Sequence, residues 1–348
     1  MTIRTAVLGF GLSGRIFHAP FIAANPAFEL AAVVTGNPGR RDQAKAEYPE
    51  VEVLDSVHLI FDRADDFDLV VIGTPSGTHS DLAGRALEVG LHVVVDKPFA
   101  VTSEDGRALV TKAEQVGKVL TVFQNRRWDG DFLTLKKLID AGELGEVRRF
   151  ESRFERWKPE QGSASAGGAT WKTTSARGEG GGIVYDLGAH LIDQAVQLFG
   201  PVADVYSEID TRREQVNAED DAFIALHHES GVRSQLWMNA VAPGPAPRFH
   251  VLGSEAGFTS WGLDPQEPQL LSGMRPGDPD LGVVPQSRWG TRWAGLEQRP
   301  VPAEKGNYSE FYRLLADAIE GSGPAPVDPS DAVYCLEILE KAFTQSAQ

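Results

Sequence analysis

Over residues 1–123 the apolar positions fall in short unbroken runs. Arg4 to Leu8, Leu30 to Val34, Leu69 to Ile72, His92 to Val95 and Val119 to Val122 alternate with stretches of helical spacing. Unbroken β-branched runs mark strands buried on both faces, and their alternation with helices predicts a parallel, doubly wound sheet. Ligands of such a sheet lie beyond the carboxyl ends of its strands. That directs attention to Gly9–Gly14, Thr35–Asn37, Gly73–Thr78, Asp96–Pro98 and Gln124–Trp128. Over residues 124–348 the pattern changes. Arg148 to Trp157, Ala222 to His228, Arg233 to Asn239 and Phe249 to Leu252 alternate with period two, as strands with one solvated face do. The expected class is therefore α/β: a first domain over 1–123, and an α+β domain over 124–348 with a large, mostly antiparallel open sheet. Pro243 to Arg299, dense in Pro and Gly, reads as mostly loop, as does the Gly/Ser-rich stretch Gly162 to Gly182. Helical spacing returns at Tyr308 to Ile319 and Ser330 to Phe343, and the last helix, about 328–348, is free to pack back on the first domain.

Composition narrows the function. A chain of 348 residues, 42% hydrophobic and 24% charged, has the make-up of a globular enzyme of two domains. A net charge of −16, with no basic cluster longer than Arg126-Arg127 or Arg148-Arg149, argues against nucleic acid and anionic membranes as partners. The single cysteine, Cys335, sits in an apolar stripe and excludes disulfide and metal-thiolate chemistry, so no metal is expected. No apolar run approaches the ~18 to 20 residues of a membrane helix, and the chain opens directly on a strand-like run, which predicts a cytoplasmic protein.

The first strand runs into Val7-Leu-Gly-Phe-Gly-Leu-Ser-Gly14. Gly9, Gly11 and Gly14 have the spacing of a dinucleotide-binding turn, one each for the tight turn, the close backbone approach and the helix contact, with Phe10, Leu12 and Ser13 between them. The pyrophosphate of such a cofactor sits on the helix N-terminus. A second apolar run, Phe28 to Val34, follows at the distance expected of a βαβ unit, which completes the Rossmann signature. An NAD site normally places an acid at the end of that second strand, ~20 residues past the glycines, for the ribose 2′-hydroxyl. Here Thr35 and Asn37 stand instead, and Arg40 or Arg41 offers a guanidinium to a 2′-phosphate. NADP is the preferred cofactor and NAD the alternative, the latter gaining ground if both arginines merely open the next helix in solvent.

Gly9-Phe-Gly-Leu-Ser-Gly14, Thr74-Pro-Ser, Asp96-Lys-Pro98 and Asp186-Leu-Gly-Ala-His190 occur in the order found in the glucose-fructose oxidoreductase / inositol dehydrogenase (Gfo/Idh/MocA) family, which the chain resembles over essentially its whole length. Asn125-Arg-Arg-Trp-Asp129 and Tyr185 to Gln194 look most like the NADP-dependent scyllo-inositol dehydrogenase branch. The resemblance implies an oxidoreductase acting on the CH–OH group of a cyclitol, sugar or related polyol, with an open sheet that forms subunit contacts and hence a homodimer or homotetramer. It also implies a cis Lys97–Pro98 bond. Thr74, Pro75, His79, Asp96, Lys97, Asn125, Arg127 and Trp128 are placed near the cofactor by the same resemblance, although His79 serves equally as a plain helix residue. The family's usual Glu-Lys-Pro is Asp-Lys-Pro here, with the lysine kept.

Hydride transfer from a secondary alcohol needs a group that takes the hydroxyl proton. His190 is the candidate base, with Asp186 four residues earlier on one helix face, either contacting substrate hydroxyls or favouring a protonated His190. A histidine at this spacing also serves as a hydrogen-bonded core residue. Lys97, at a strand end before proline, is placed to polarise the substrate oxygen, where a lone lysine is otherwise solvated. Trp157 and Gln194 complete the expected substrate contacts alongside Lys97, Asp186 and His190. Arg156 and Trp171 are further candidates, and equally ordinary packing residues. Two other functions share the same motifs: a catalytically silent dinucleotide sensor, and a redox-neutral sugar-processing enzyme that uses its cofactor only transiently.

Overall fold

The computed structural model describes residues 2–158, 175–214 and 216–346. Trp171 and most of the Gly/Ser-rich stretch predicted as loop lie outside them. The chain forms two compact units, one of Met1–Asn125, Glu267–Leu281 and Tyr308–Val333, the other of Arg126–Gln266, Gly282–Asn307 and Tyr334–Gln348.

The first unit is built on six parallel strands in the order β3-β2-β1-β4-β5-β6. They are β1 (Ile3–Leu8), β2 (Phe28–Val34), β3 (Glu52–Leu54), β4 (Leu69–Ile72), β5 (His92–Asp96) and β6 (Leu120–Phe123). The order reverses at β1, between β2 and β4, and at that switch point the glycine turn leaves the sheet. Helices α1 (Ala19–Ala24), α2 (Pro38–Glu47), α3 (His58–Phe61), α4 (His79–Glu88) and α5 (Ser103–Val116) make the connections. β4 is buried at all four positions, as its unbroken apolar run predicts.

The second unit opens with α6 (Gly130–Asp140) and carries eight strands in the order β14-β13-β12-β11-β7-β10-β9-β8. These are β7 (Val147–Glu155), β8 (Val202–Asp210), β9 (Asp221–His228), β10 (Arg233–Asn239), β11 (Pro247–Gly253), β12 (Gly257–Trp261), β13 (Gly290–Ala294) and β14 (Glu297–Val301). All neighbours are antiparallel except β7 and β10. On one face Phe150, Phe154, Ile224, Leu236, Met238 and Val251 are buried beneath α7 (Ala189–Phe199). The other face presents a row of Tyr206, Phe223 and Trp237, with centroids 6.4 and 4.9 Å apart, and the Arg153 guanidinium 4.2 Å over the Trp237 ring.

The structure departs from expectation in two places. Pro243 to Arg299 is not mostly loop: it supplies β11, β12, α8 (Gln266–Leu271) and β13. Their Pro- and Gly-rich surroundings conceal strands whose order comes from pairing with β7 and with one another. The second departure is α9 (Ser309–Ile319), which groups with the first unit although it falls in the second half of the chain. Its Phe311 and Tyr312 are fully buried. Phe311 meets Phe123 edge-on at 4.9 Å, and Tyr312 stacks on Phe21 at 6.2 Å. The first part of α10 (Pro329–Ser346) follows into that unit, and its later turns belong to the second.

Candidate functional site

In the first unit the polar residues collect at the carboxyl ends of β1, β2, β4, β5 and β6. Gly9 has φ +98°, and a Cβ there would come within 2.6 Å of the Gly73 carbonyl oxygen; a Cβ on Gly14 would collide with the Gly9 carbonyl. The glycines thus let the turn close onto the end of β4. Phe10 is buried edge-on against Tyr48, whereas Leu12 is half-exposed. The following helix opens with a π-helical turn, Ser13–His18, before α1. Such wide turns recur at functional sites, and no apolar periodicity foretells them.

Arg40 stands beside this turn, its Nη1 3.6 Å from the position of a Cβ on Gly11. Asn37 caps α2 by accepting the Arg40 N–H at 3.1 Å, and Thr35 Oγ1 accepts the Asn37 N–H at 3.4 Å. Arg41 points instead to Asp55, at 3.7 Å. After β4, Thr74 and Thr78 share a hydroxyl hydrogen bond of 2.7 Å, and the Thr78 hydroxyl donates to the Pro75 carbonyl. His79 is buried, with Nδ1 2.8 Å from the Pro98 carbonyl and Nε2 2.9 Å from the Thr74 carbonyl, so it ties the turn after β4 to the one after β5. There Asp96 Oδ1 accepts the Lys97 N–H at 3.0 Å, and the Lys97–Pro98 bond is cis, as the resemblance implies.

Three buried polar atoms here, Ser13 Oγ, Ser76 Oγ and Gln124 Oε1, have no hydrogen-bond partner among the described residues. Each lies just past β1, β4 or β6. Together with a backbone cradle that a Cβ would fill and a guanidinium alongside it, these atoms suit a dinucleotide phosphate and ribose. Ser76 and Gln124 fall in loops that the sequence points to without giving either residue a role, and His18 is not a sequence candidate at all. His18 is fully buried and 2.6 Å from the Tyr312 hydroxyl. Burial lowers its pKa to about 4, with Asp96 opposing, so the ring is neutral. Its only sequence signal is an unbroken run from Arg15 to Pro20.

The second unit carries the other candidates around α7, which is likewise preceded by a π-helical turn, Val184–Gly188. Asp186 lies in that turn, its Oδ2 3.9 Å from Arg156 Nη1. His190 is buried in the first turn of α7, its ring centroid 6.5 Å from that of Phe154. The guanidiniums of Arg126 and Arg156 cover the Phe154 ring at 4.6 and 4.7 Å.

Further along α7, Asp193 takes a bidentate pair from Arg127, with Nε to Oδ2 at 2.9 Å and Nη2 to Oδ1 at 2.6 Å. The Gln194 amide is engaged at both ends: Nε2 donates to the Arg126 carbonyl at 2.9 Å and Oε1 accepts from Arg248 Nη2 at 2.6 Å. Arg248, which the sequence does not single out, is fully buried and also reaches Asp131 at 3.1 Å and Ser152 Oγ at 2.6 Å. The Trp128 carbonyl accepts from Asn307 N–H at 2.9 Å, and Asn125 is buried at the end of the first unit. Trp157 is exposed, bridging to Val241 at the end of β7. Within this unit the structure brings Arg127, Asp193 and Gln194 together, and separately Asp186 and Arg156.

A glycine turn at the switch point of a parallel sheet, followed by an open-sheet unit whose covering helix carries His190 and Asp193, is the architecture of a two-domain NAD(P)-binding oxidoreductase. Residues 3–124 match the model described as the oxidoreductase family, NAD-binding Rossmann fold, and residues 132–259 match the GFO/IDH/MocA C-terminal domain. The chain belongs to that family. It is 39% identical to an uncharacterized oxidoreductase of Escherichia coli, YdgJ, over 97% of this chain and 94% of that one. It is 31% identical to the scyllo-inositol 2-dehydrogenase (NADP(+)) IolW of Bacillus subtilis, over 100% of this chain and 94% of the relative. The solved structure of yvaA from Bacillus subtilis superposes with a TM-score of 0.91 at 30% identity, covering 100% of this chain and 96% of that one. Among the described residues no helix is long and apolar enough to cross a membrane.

Proposed function

We propose that the protein is a cytoplasmic, NADP-dependent dehydrogenase or reductase that interconverts a secondary alcohol and its ketone on a cyclitol, sugar or related polyol. The observation that carries the cofactor preference is Arg40 beside Gly11, with Thr35 and Asn37 where an NAD site keeps an acid. A guanidinium there pairs with a 2′-phosphate, and the end of β2 itself carries no acid to take its place. The name of IolW supports both the cofactor and a scyllo-inositol-like substrate.

The bound nicotinamide supplies hydride acceptance in one direction and donation in the other. His190 takes the hydroxyl proton during oxidation and returns it during reduction. Asp186, on the same helical stretch, steadies the protonated ring or binds a neighbouring hydroxyl. The Lys97 ammonium hydrogen-bonds the reacting oxygen and stabilises the charge that develops on it. Trp157 offers an aromatic face to the C–H face of a ring. Gln194 contributes by holding α7 in place through Arg126 and Arg248. The aromatic row Tyr206, Phe223 and Trp237 on the open sheet supports a homodimer or homotetramer, which sedimentation equilibrium would measure.

The deciding experiment incubates the protein with NADP or NAD and a panel of inositols and aldoses while reduced cofactor is followed by absorbance. Accumulating NADPH with a cyclitol or sugar is the expected result. Tight NADP binding without turnover across the panel would overturn the dehydrogenase reading in favour of a sensor or a redox-neutral enzyme.

A further inference from the structure

One buried acid outside the residues discussed so far meets the start of the helical stretch that carries Asp186 and His190. Glu219 lies between β8 and β9 and is 8% exposed. Its backbone carbonyl accepts the Ile183 N–H at 3.0 Å, and its side-chain Oε1 accepts the Val184 N–H at 3.3 Å. These belong to the N–H groups that a helix start leaves without partners inside the helix. The chain before the turn makes room for this acid: Gly182 has φ +99°, and a Cβ there would collide with the Glu219 carboxylate. One residue on, Asp220 is pinned by the Arg212 N–H at 2.7 Å and by Arg213 Nε at 2.7 Å, which fixes the loop that delivers Glu219.

We infer that Glu219 is a positioning residue, which sets the seat of the π-helical turn through Val184 and so the placement of Asp186 and His190. An apolar side chain of similar size would fill the same space but leave the Val184 N–H without its acceptor.

The charge state of Glu219 adds a consequence. Burial pushes its carboxyl up to about 7, opposed by its own main-chain N–H, that of Val184 and Arg177, and assisted by Asp220. Tyr185 faces it from the turn, its phenol raised to about 12 chiefly by burial, then by Glu340 of α10 and by Glu219, against Arg177. A charged acceptor holds an N–H more tightly than a neutral one, so the turn is held harder above neutral pH than below it.

The inference rests on the proposed role of His190, and its test separates the two. In the full-length protein, the Val184 amide proton is expected to titrate with a midpoint near 7 and to stay flat in Glu219→Gln. The His190 ring proton is expected to show an inflection at that same midpoint besides its own, lost in Glu219→Gln. The ratio of wild-type to Glu219→Gln kcat is expected near 1 at pH 5.5 and about three- to tenfold at pH 8.5, with NADPH affinity within about twofold. Glu219→Ala should be slower than Glu219→Gln at every pH, because the glutamine keeps an acceptor oxygen. A His190 resonance indifferent to both Glu219→Gln and Glu219→Ala, or a Glu219→Ala turnover equal to wild type at every pH, would overturn the inference. If the two resonances are coupled but no polyol or sugar is turned over, the proposed reaction falls and the positioning role stands.

Discussion

The two units hold their candidate residues by different means. In the first, main-chain geometry does most of the work: the glycine turn closes on Gly73, and carbonyls of Thr74 and Pro98 grip His79. In the second, buried charge dominates. Arg127 clamps Asp193, and Arg248 joins Asp131, Ser152 and Gln194. A backbone cradle tolerates side-chain change so long as no Cβ enters it, whereas a charge network fails when one member is removed, because the partner is left buried and unpaired. Each unit is therefore fragile at a different kind of position.

The largest expected effect isolates the chemistry from both scaffolds. His190→Ala should lower kcat about 10²- to 10⁴-fold while NADPH affinity, measured by fluorescence titration, changes little. Unchanged turnover would remove His190 from the reaction. Next, Arg248→Met tests the charge network: urea unfolding should show a loss of about 3–5 kcal/mol, since Asp131 loses its buried partner. A loss under about 1 kcal/mol would mean that the second unit does not depend on this charge network.

The third test finds a titratable group inside the backbone-held unit. His18 is lowered by burial to about 4 from an ordinary 6.5. The neutral ring therefore contributes its full stability above pH 6.5, and that contribution is lost as pH falls from 6.5 through 4. The stability of wild type relative to His18→Gln should shrink by roughly 3 kcal/mol between pH 7 and pH 4. A constant difference across that range would contradict it. The smallest effect concerns cofactor choice: Arg40→Ala should weaken NADP binding about tenfold and leave NAD within about twofold, by calorimetry. Equal weakening of both would assign Arg40 to the pyrophosphate rather than the 2′-phosphate.

How much was legible in the sequence follows the same division. Strands buried on both faces announce themselves as unbroken apolar runs, so five of the parallel strands are readable. β3, three residues with no fully buried position, is not. The glycine turn is readable because its function needs particular backbone freedom at fixed spacing. Edge strands such as β14, Glu-Gln-Arg-Pro-Val, carry no apolar alternation and owe their existence to pairing with β13. Among the candidate site residues, Lys97, Asp186 and His190 stand out through motif order, not through any periodicity. Arg248 and Glu219 escaped because a buried charge looks the same in sequence as a solvated one; only the partners brought in from distant strands distinguish them. The two π-helical turns escaped for a related reason, since an extra residue in a helical turn leaves no mark on a 3.6-residue pattern.

The discontinuous path of the first unit has a consequence for synthesis. Its first segment ends at Asn125, but Phe311 and Tyr312, which pack on Phe123 and Phe21, arrive only after residue 308. At about 5–20 residues per second, roughly 10 to 40 seconds separate these events on a ribosome. Through that interval the nascent sheet waits with an aromatic face uncovered, so the growing chain offers chaperones a long-lived apolar surface that the finished enzyme does not display.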